Sequence, residues 1–142
     1  MSKSYYQEGA WWASPFNEKP EVQKEALPGR PVEIHDATLR DGEQTPGVVF
    51  SKEDKLHIAE KLIEAGVTRI EAGMPAVSRQ DFEAMYEIAR RFPEAKIFSF
   101  ARATHGDIDM AADCGAKGVV IETPVGYPKL KYQFHWDVEK VL

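Results

Sequence analysis

Residues 36–47 read Asp-Ala-Thr-Leu-Arg-Asp-Gly-Glu-Gln-Thr-Pro-Gly, and they begin within a short segment, residues 32–37, in which apolar and polar side chains alternate. Such alternation is typical of a β-strand. Arg40 and Asp41 therefore follow the carboxyl end of the first predicted strand. In α/β sheets and barrels that end carries the chemistry. The stretch predicts an α/β protein with a functional site at this edge of its sheet.

Strand and helix patterns alternate along the rest of the chain. The predicted elements are strands at residues 67–72, 96–100 and 118–121, and helices that begin near Ser51, Ser78, Ile108 and Asp137. Ser51 is followed three residues later by Asp54, which is a capping pattern at the start of a helix. Alternation of this kind builds a parallel sheet with right-handed crossovers.

Two parallel sheets fit this order of elements, an open doubly wound layer and part of a (β/α) barrel. No glycine-rich phosphate-binding fingerprint follows the first strand, as it usually does in a dinucleotide-binding fold. Charged or polar residues follow every predicted strand instead, and in a barrel they converge on one mouth. A complete barrel needs about 250 residues. We therefore expect the N-terminal half of a TIM (β/α)8 barrel over residues 32–142, preceded by an irregular N-terminal arm at residues 1–31.

The composition limits the classes of function. Of the 142 residues, 43% are hydrophobic, and 18 basic against 23 acidic residues give a net charge of −5. This balance argues against a nucleic-acid partner, which normally needs a basic face. No apolar run approaches the roughly 18 residues of a membrane span, and no signal-peptide core is seen, so we expect a cytoplasmic protein with no membrane partner. The single cysteine, Cys114, predicts a packed and unreactive thiol.

Arg40, Asp41 and Gln44 are the first candidate site residues. A guanidinium stays charged at any working pH and suits a carboxylate or an enolate oxygen on which negative charge develops. Asp41 is a candidate ligand for a divalent metal, which can polarise the carbonyl group of a substrate. Gln44 offers a neutral donor and acceptor for a substrate carboxylate or hydroxyl. Glu43 could contact substrate, brace the loop or simply be solvated.

The runs Thr-Leu-Arg-Asp-Gly-Glu-Gln at residues 38–44 and Glu-Ala-Gly-Met-Pro-Ala-Val-Ser at residues 71–78 resemble a known signature. It belongs to the metal-dependent family of isopropylmalate, homocitrate and citramalate synthases and hydroxymethylglutaryl-CoA lyase. The resemblance covers about residues 33–125. It implies an acyltransferase that condenses acetyl-CoA, its co-substrate, with a small-molecule 2-oxo acid. It also implies a divalent metal, Mg²⁺, Mn²⁺ or Zn²⁺, as cofactor.

The resemblance also implies roles for residues at later strand ends. Glu71 would act with Arg40 in catalysis by organising the substrate and the arginine, the alternative being a salt bridge to Arg40 or Arg102. Arg102 would receive the carboxylate of the 2-oxo acid, the alternative being a surface arginine. Thr123 would offer a hydroxyl to the substrate, but the segment around it, residues 122–129, departs from the expected Thr-Ser pattern. The identity of the 2-oxo acid therefore stays open.

The metal site that the resemblance implies needs more ligands than Asp41 provides. In the family a His-x-His pair on a later strand completes the site, and none of the histidines of this chain forms such a pair; they are His35, His57, His105 and His135. One carboxylate does not hold a catalytic ion well. We therefore expect the remaining ligands and the general base to lie beyond Leu142, and we expect the chain either to form a homo-oligomer or to lack its C-terminal half.

Three other interpretations stay open. The first is a lyase or aldolase that cleaves a hydroxy acid or its CoA thioester with the same arginine and aspartate. The run at residues 71–78 is closer to the synthase branch and favours condensation. The second is a non-catalytic half-barrel that acts by association, because a half sheet leaves an open edge. The third is a fragment of a longer enzyme.

Overall fold

The computed structural model describes residues 6–25 and 31–141, which form two compact units, Met1–Val32 and Glu33–Leu142. In the first unit, strands β1 (Tyr6–Gln7) and β2 (Trp11–Trp12) form a small antiparallel hairpin. A 3₁₀ turn at Pro15–Glu18 and helix α1 (Pro20–Glu25) follow. The 3₁₀ turn is capped by Ser14, whose hydroxyl accepts a hydrogen bond from the amide of Phe16 at 3.3 Å.

The second unit contains one parallel sheet. Its strands are β3 (His35–Asp36), β4 (Arg69–Gly73), β5 (Lys96–Arg102) and β6 (Gly118–Glu122). They lie side by side in the order β3-β4-β5-β6, every pair parallel. A doubly wound sheet reverses its strand order at a switch point, and the described strands show no reversal. The prediction of an α/β chain that forms part of a TIM (β/α)8 barrel is confirmed.

Three helices connect successive strands of this sheet, namely α2 (Lys52–Glu64), α3 (Arg79–Arg91) and α4 (His105–Asp113). A π-helical segment (Lys129–Phe134) and α5 (Val138–Val141) follow β6. The capping pattern predicted at Ser51 is present, since its hydroxyl accepts from the amide of Asp54 while the Asp54 carboxylate accepts from the amide of Ser51. Among the described residues, no helix is both long enough and apolar enough to cross a membrane.

Three predicted elements differ from the structure. The first strand was expected over residues 32–37, but only His35 and Asp36 find ladder partners on β4. Helix α4 begins at His105 rather than at residue 108, because Thr104 caps it through the amide of Asp107. The N-terminal arm was expected to be irregular, but its described residues 6–25 form the hairpin β1–β2, a 3₁₀ turn and helix α1.

The two faces of the sheet have different chemistry, because successive side chains of a strand point to opposite sides. One face packs on α2 and α3 in the hydrophobic core, whose largest members are Leu39, Ile70, Met85, Ile88 and Ile97. The opposite face carries the polar and aromatic side chains of β4 and β5, which are Arg69, Glu71, Lys96, Phe98, Phe100 and Arg102. This second face corresponds to the interior of the barrel.

Candidate active site

Arg40 and Glu71 form a buried ion pair at the carboxyl ends of β3 and β4. Nε of Arg40 donates to Oε1 of Glu71 at 2.5 Å, and their side chains are 19% and 4% exposed. The second carboxylate oxygen, Oε2, lies 3.4 Å from Nε2 of His35. Both oxygens of Glu71 are therefore engaged, so this carboxylate orients Arg40 rather than serving as an open base.

The guanidinium of Arg40 is fixed from two further sides. Its Nη1 donates to Oδ1 of Asp41 at 2.9 Å, and its Cζ lies 4.5 Å from the centroid of the Phe100 ring. A guanidinium over an aromatic face gains cation–π attraction. Within the described part of the chain, Nη2 of Arg40 has no hydrogen-bond acceptor. The structure therefore holds one charged donor ready for an anionic ligand.

A cavity of about 370 Å³, the first cavity, lies beside this arginine. Its polar wall consists of Arg40, Glu43, Gln44 and Asp81. Apolar side chains complete it, namely Leu39, Val48, Val49, Met74, Val77 and Phe100. A largely apolar pocket with a few convergent polar groups is the usual form of a small-molecule site. Of the predicted residues, the structure places Arg40 and Gln44 together here, with Glu71 directly behind the arginine.

Asp41 does not stand within a set of metal ligands. Its side chain is 66% exposed and its Oδ1 accepts from Arg40. Among residues 6–25 and 31–141, no three histidine, cysteine, aspartate or glutamate side chains come close enough together to hold an ion. These residues therefore do not fit a complete divalent-metal site, and Asp41 could supply at most one ligand of it.

Arg102 and Thr123 line a different cavity, the second cavity, of about 510 Å³. Arg102 donates from Nε and Nη2 to the two oxygens of Asp107, each at 2.8 Å. Two parallel hydrogen bonds from one guanidinium to one carboxylate make a bidentate ion pair, which is the stronger kind. The structure thus places the predicted carboxylate receptor apart from the first cavity, and its guanidinium, like that of Arg40, is paired with a carboxylate of its own chain.

The Arg102–Asp107 pair should make stability depend on pH. The side-chain hydrogen bonds from Arg102 lower the pKa of Asp107 to about 2 from its ordinary 3.8, against the opposing effect of burial. Because the folded pKa is the lower one, this stabilisation is complete above about pH 4 and is lost as the pH falls toward 2. We expect it to contribute about 1 to 2 kcal/mol, reduced by solvent screening of the 64% exposed arginine. Urea unfolding of the wild type and of Asp107→Asn between pH 2 and 6 should show a difference that shrinks with acidity; a constant difference would contradict it.

Other sequence predictions have clear structural counterparts. Cys114 is buried, and desolvation raises the pKa of its thiol to about 11, as expected for an unreactive cysteine. Glu43 braces its loop, since its carboxylate accepts from the amide of Phe50 and pairs with Lys55. His35, one of the histidines without a His-x-His partner, lies edge-on to Phe98 with ring centroids 5.0 Å apart.

Sequence reasoning missed Phe100 and Asp107 as partners of the candidate arginines. The signal for Phe100 was present, because Phe98, Phe100 and Arg102 alternate on one strand and must share a face. Asp107 was harder to predict as the partner of Arg102, because the sequence shows only a carboxylate three residues after the capping residue Thr104.

The fold and the site define a class: a partial (β/α) barrel with a buried arginine–glutamate pair at the carboxyl ends of its first strands. Comparison with known proteins identifies the family. The HMGL-like family model matches residues 31–142, and the chain belongs to this family. The resemblance seen in the sequence is thereby confirmed.

Curated relatives are synthases of three kinds. A homocitrate synthase of Methanosarcina acetivorans is 46% identical over 111 residues, which are 78% of this chain and 27% of that protein. A protein named as an (R)-citramalate synthase in Methanopyrus kandleri is 44% identical over 86% of this chain and 24% of its own length. A protein named as a 2-isopropylmalate synthase in Ignicoccus hospitalis is 46% identical over 83% of this chain and 29% of its own length. The chain thus spans 24 to 29% of these relatives.

Proposed function

We propose that this chain provides the first strands of the active site of an acyltransferase that condenses acetyl-CoA with a 2-oxo acid. The observation that carries the proposal is the buried Arg40–Glu71 pair beside the first cavity. Membership of the HMGL-like family and the likeness to synthases support the same class of reaction.

Arg40 has the central role in this proposal. Condensation develops negative charge on the carbonyl oxygen of the 2-oxo acid, and a fixed cation in a water-poor site stabilises that charge most effectively. Glu71, Phe100 and Asp41 hold the guanidinium before substrate arrives. Little reorganisation is then needed during the reaction, and Gln44 can contact the acid from the same cavity wall.

Asp41 and Arg102 have secondary roles. The divalent metal, Mg²⁺, Mn²⁺ or Zn²⁺, would take Asp41 as one ligand, with the others from outside the described residues. Equal Mn²⁺ affinity of the wild type and Asp41→Ala would remove Asp41 from this role. Arg102 and Thr123 would contact substrate from the second cavity, where Arg102 keeps its ion pair with Asp107 as Arg40 keeps its pairs with Glu71 and Asp41.

The other parts of the proposal follow from the partial barrel. The general base, the remaining strands and the metal ligands would come from a C-terminal half or from a second copy, and a cytoplasmic location stays a prediction. Cleavage of a hydroxy acid would use the same Arg40, but the relatives reported above are synthases, which favours condensation.

Calorimetric titration with pyruvate tests the proposal. Pyruvate is a small 2-oxo acid and should bind the wild-type chain. Arg40→Lys should weaken binding about tenfold or more, because lysine keeps the charge but loses the planar fork. Lys61→Met is the control, since Lys61 pairs with Glu64 on the exposed surface of α2. No binding to the wild type, or equal binding to Arg40→Lys, would refute the proposed role of Arg40.

A further inference from the structure

We propose that Lys55, on helix α2, is a positioning residue that holds the loop carrying Arg40 and Gln44 in its ligand-binding geometry. That this geometry binds a ligand rests on the proposed function. Whether Lys55 restrains the loop is a property of the fold alone, and it can be measured without substrate.

Lys55 is an unusual side chain, because it is a lysine only 3% exposed. Its Nζ lies 2.7 Å from Oε2 of Glu43 and 2.5 Å from Oδ1 of Asp81. Burial by itself would lower the pKa of Lys55, but the hydrogen bonds to Asp81 and Glu43 outweigh it and raise the pKa. The amine is therefore charged at neutral pH and needs both carboxylates, since a buried charge without partners is costly.

The two carboxylates belong to different elements of the site. Glu43 lies in the 3₁₀ turn Gly42–Gln44, which follows β3, and its other oxygen accepts from the amide of Phe50 at 3.0 Å. Asp81 lies in the first turn of α3, and its other oxygen accepts from the hydroxyl of Ser78 at 2.6 Å. Lys55, Glu43 and Asp81, here called the Lys55 clamp, thus tie the loop after β3 and the start of α3 to α2.

The Lys55 clamp lies close to the candidate chemistry. Glu43 and Asp81 both line the first cavity together with Arg40 and Gln44. Glu43 precedes Gln44 directly, so a displaced Glu43 moves Gln44 with it. Between residues 44 and 49 the loop is held by local backbone hydrogen bonds, from Gln44 to Asp41, Thr45 to Gly42 and Val48 to Thr45, while the side chains of Gln44 and Val49 are exposed. Loss of the Lys55 clamp should therefore release this loop before it unfolds the barrel strands.

Amide hydrogen exchange of the full chain tests the inference. Lys55→Met removes the charge and keeps most of the side-chain volume. The control is Leu62→Ala, which removes core packing from the same helix without touching the Lys55 clamp. Relative to the core amide of Ile97, exchange at Phe50 should accelerate at least tenfold more in Lys55→Met than in Leu62→Ala. Equal acceleration in the two variants would overturn the inference.

A pyruvate titration forms the second arm. Lys55→Met should bind pyruvate several-fold more weakly than Leu62→Ala does, although both are destabilised. If Lys55→Met does not fold, Glu43→Gln replaces it in the comparison with Leu62→Ala, because Glu43→Gln loses only the ion pair between Lys55 and Glu43. If the wild type binds no pyruvate, the proposed function fails while the exchange arm still decides whether Lys55 holds the loop. Unchanged pyruvate affinity in Lys55→Met, with binding in the wild type, would refute the positioning role.

Discussion

Replacing Glu71 with alanine is expected to lower the free energy of unfolding by about 3 kcal/mol or more, because it leaves a largely buried guanidinium without its main partner. Arg40 would keep only the exposed Asp41 and the ring of Phe100. Pyruvate binding should weaken as well, since the arginine loses its fixed orientation. Chemical denaturation and calorimetry measure the two effects.

Glu33→Ala is the matched control. Glu33 also bridges two cations, with Nη1 of Arg69 at 3.1 Å and Nζ of Lys96 at 2.6 Å, but its side chain is 48% exposed. Exposed ion pairs contribute little to stability, so this variant should unfold and bind pyruvate almost as the wild type does. If Glu71→Ala and Glu33→Ala lost the same stability and the same pyruvate affinity, burial of the Arg40–Glu71 pair would not be what stabilises the fold and orients Arg40.

Replacing Gly118 with alanine should destabilise the protein by about 2 kcal/mol, because the added methyl group collides with a neighbouring strand. A Cβ at this position would lie 2.7 Å from Cδ1 of Phe98 and also overlap Cε1. The ring has little room to withdraw, since Arg69 stacks over it with Cζ 4.8 Å from the centroid, and His35 lies at its edge. Thermal and urea unfolding would both report the loss.

Gly106→Ala is the control for Gly118→Ala, and we expect it not to destabilise the protein. A Cβ at Gly106 meets no atom within 4 Å, and the residue lies in helix α4. Alanine in a helix is favoured over glycine, so this variant should be as stable as the wild type or about 0.5 kcal/mol more stable. A Gly118→Ala protein as stable as Gly106→Ala would show that Phe98 is not confined.

The sequence was most informative where short-range rules apply. Alternation along β4 and β5 places Glu71, Phe98 and Phe100 on one face, and the capping residues Ser51 and Ser78 mark two helix starts correctly. These features depend on neighbours within a few residues, and the chemistry of those neighbours is visible in the sequence.

Contacts between side chains that are far apart in the sequence were less predictable. Glu71 had two candidate partners, and the structure pairs it with Arg40, while Arg102 pairs with Asp107. Lys55 lies in an ordinary helical pattern, and its contact with Asp81, 26 residues away, depends on how α2 and α3 pack. Such contacts depend on loop paths and helix packing that no local pattern encodes.

Nuclear magnetic resonance of the arginine side chains during a pyruvate titration tests the central claim most directly. Arg40 and Arg69 are matched, because each pairs with a glutamate and stacks on a phenylalanine of β5. They differ in their position along the strands, because Arg40 follows the carboxyl end of β3 whereas Arg69 is the first residue of β4. We predict a saturable shift of the Arg40 Nε–H signal and none at Arg69. A shift at Arg69 alone, or the same shift at both, would contradict the assignment of Arg40 as the acid-binding cation.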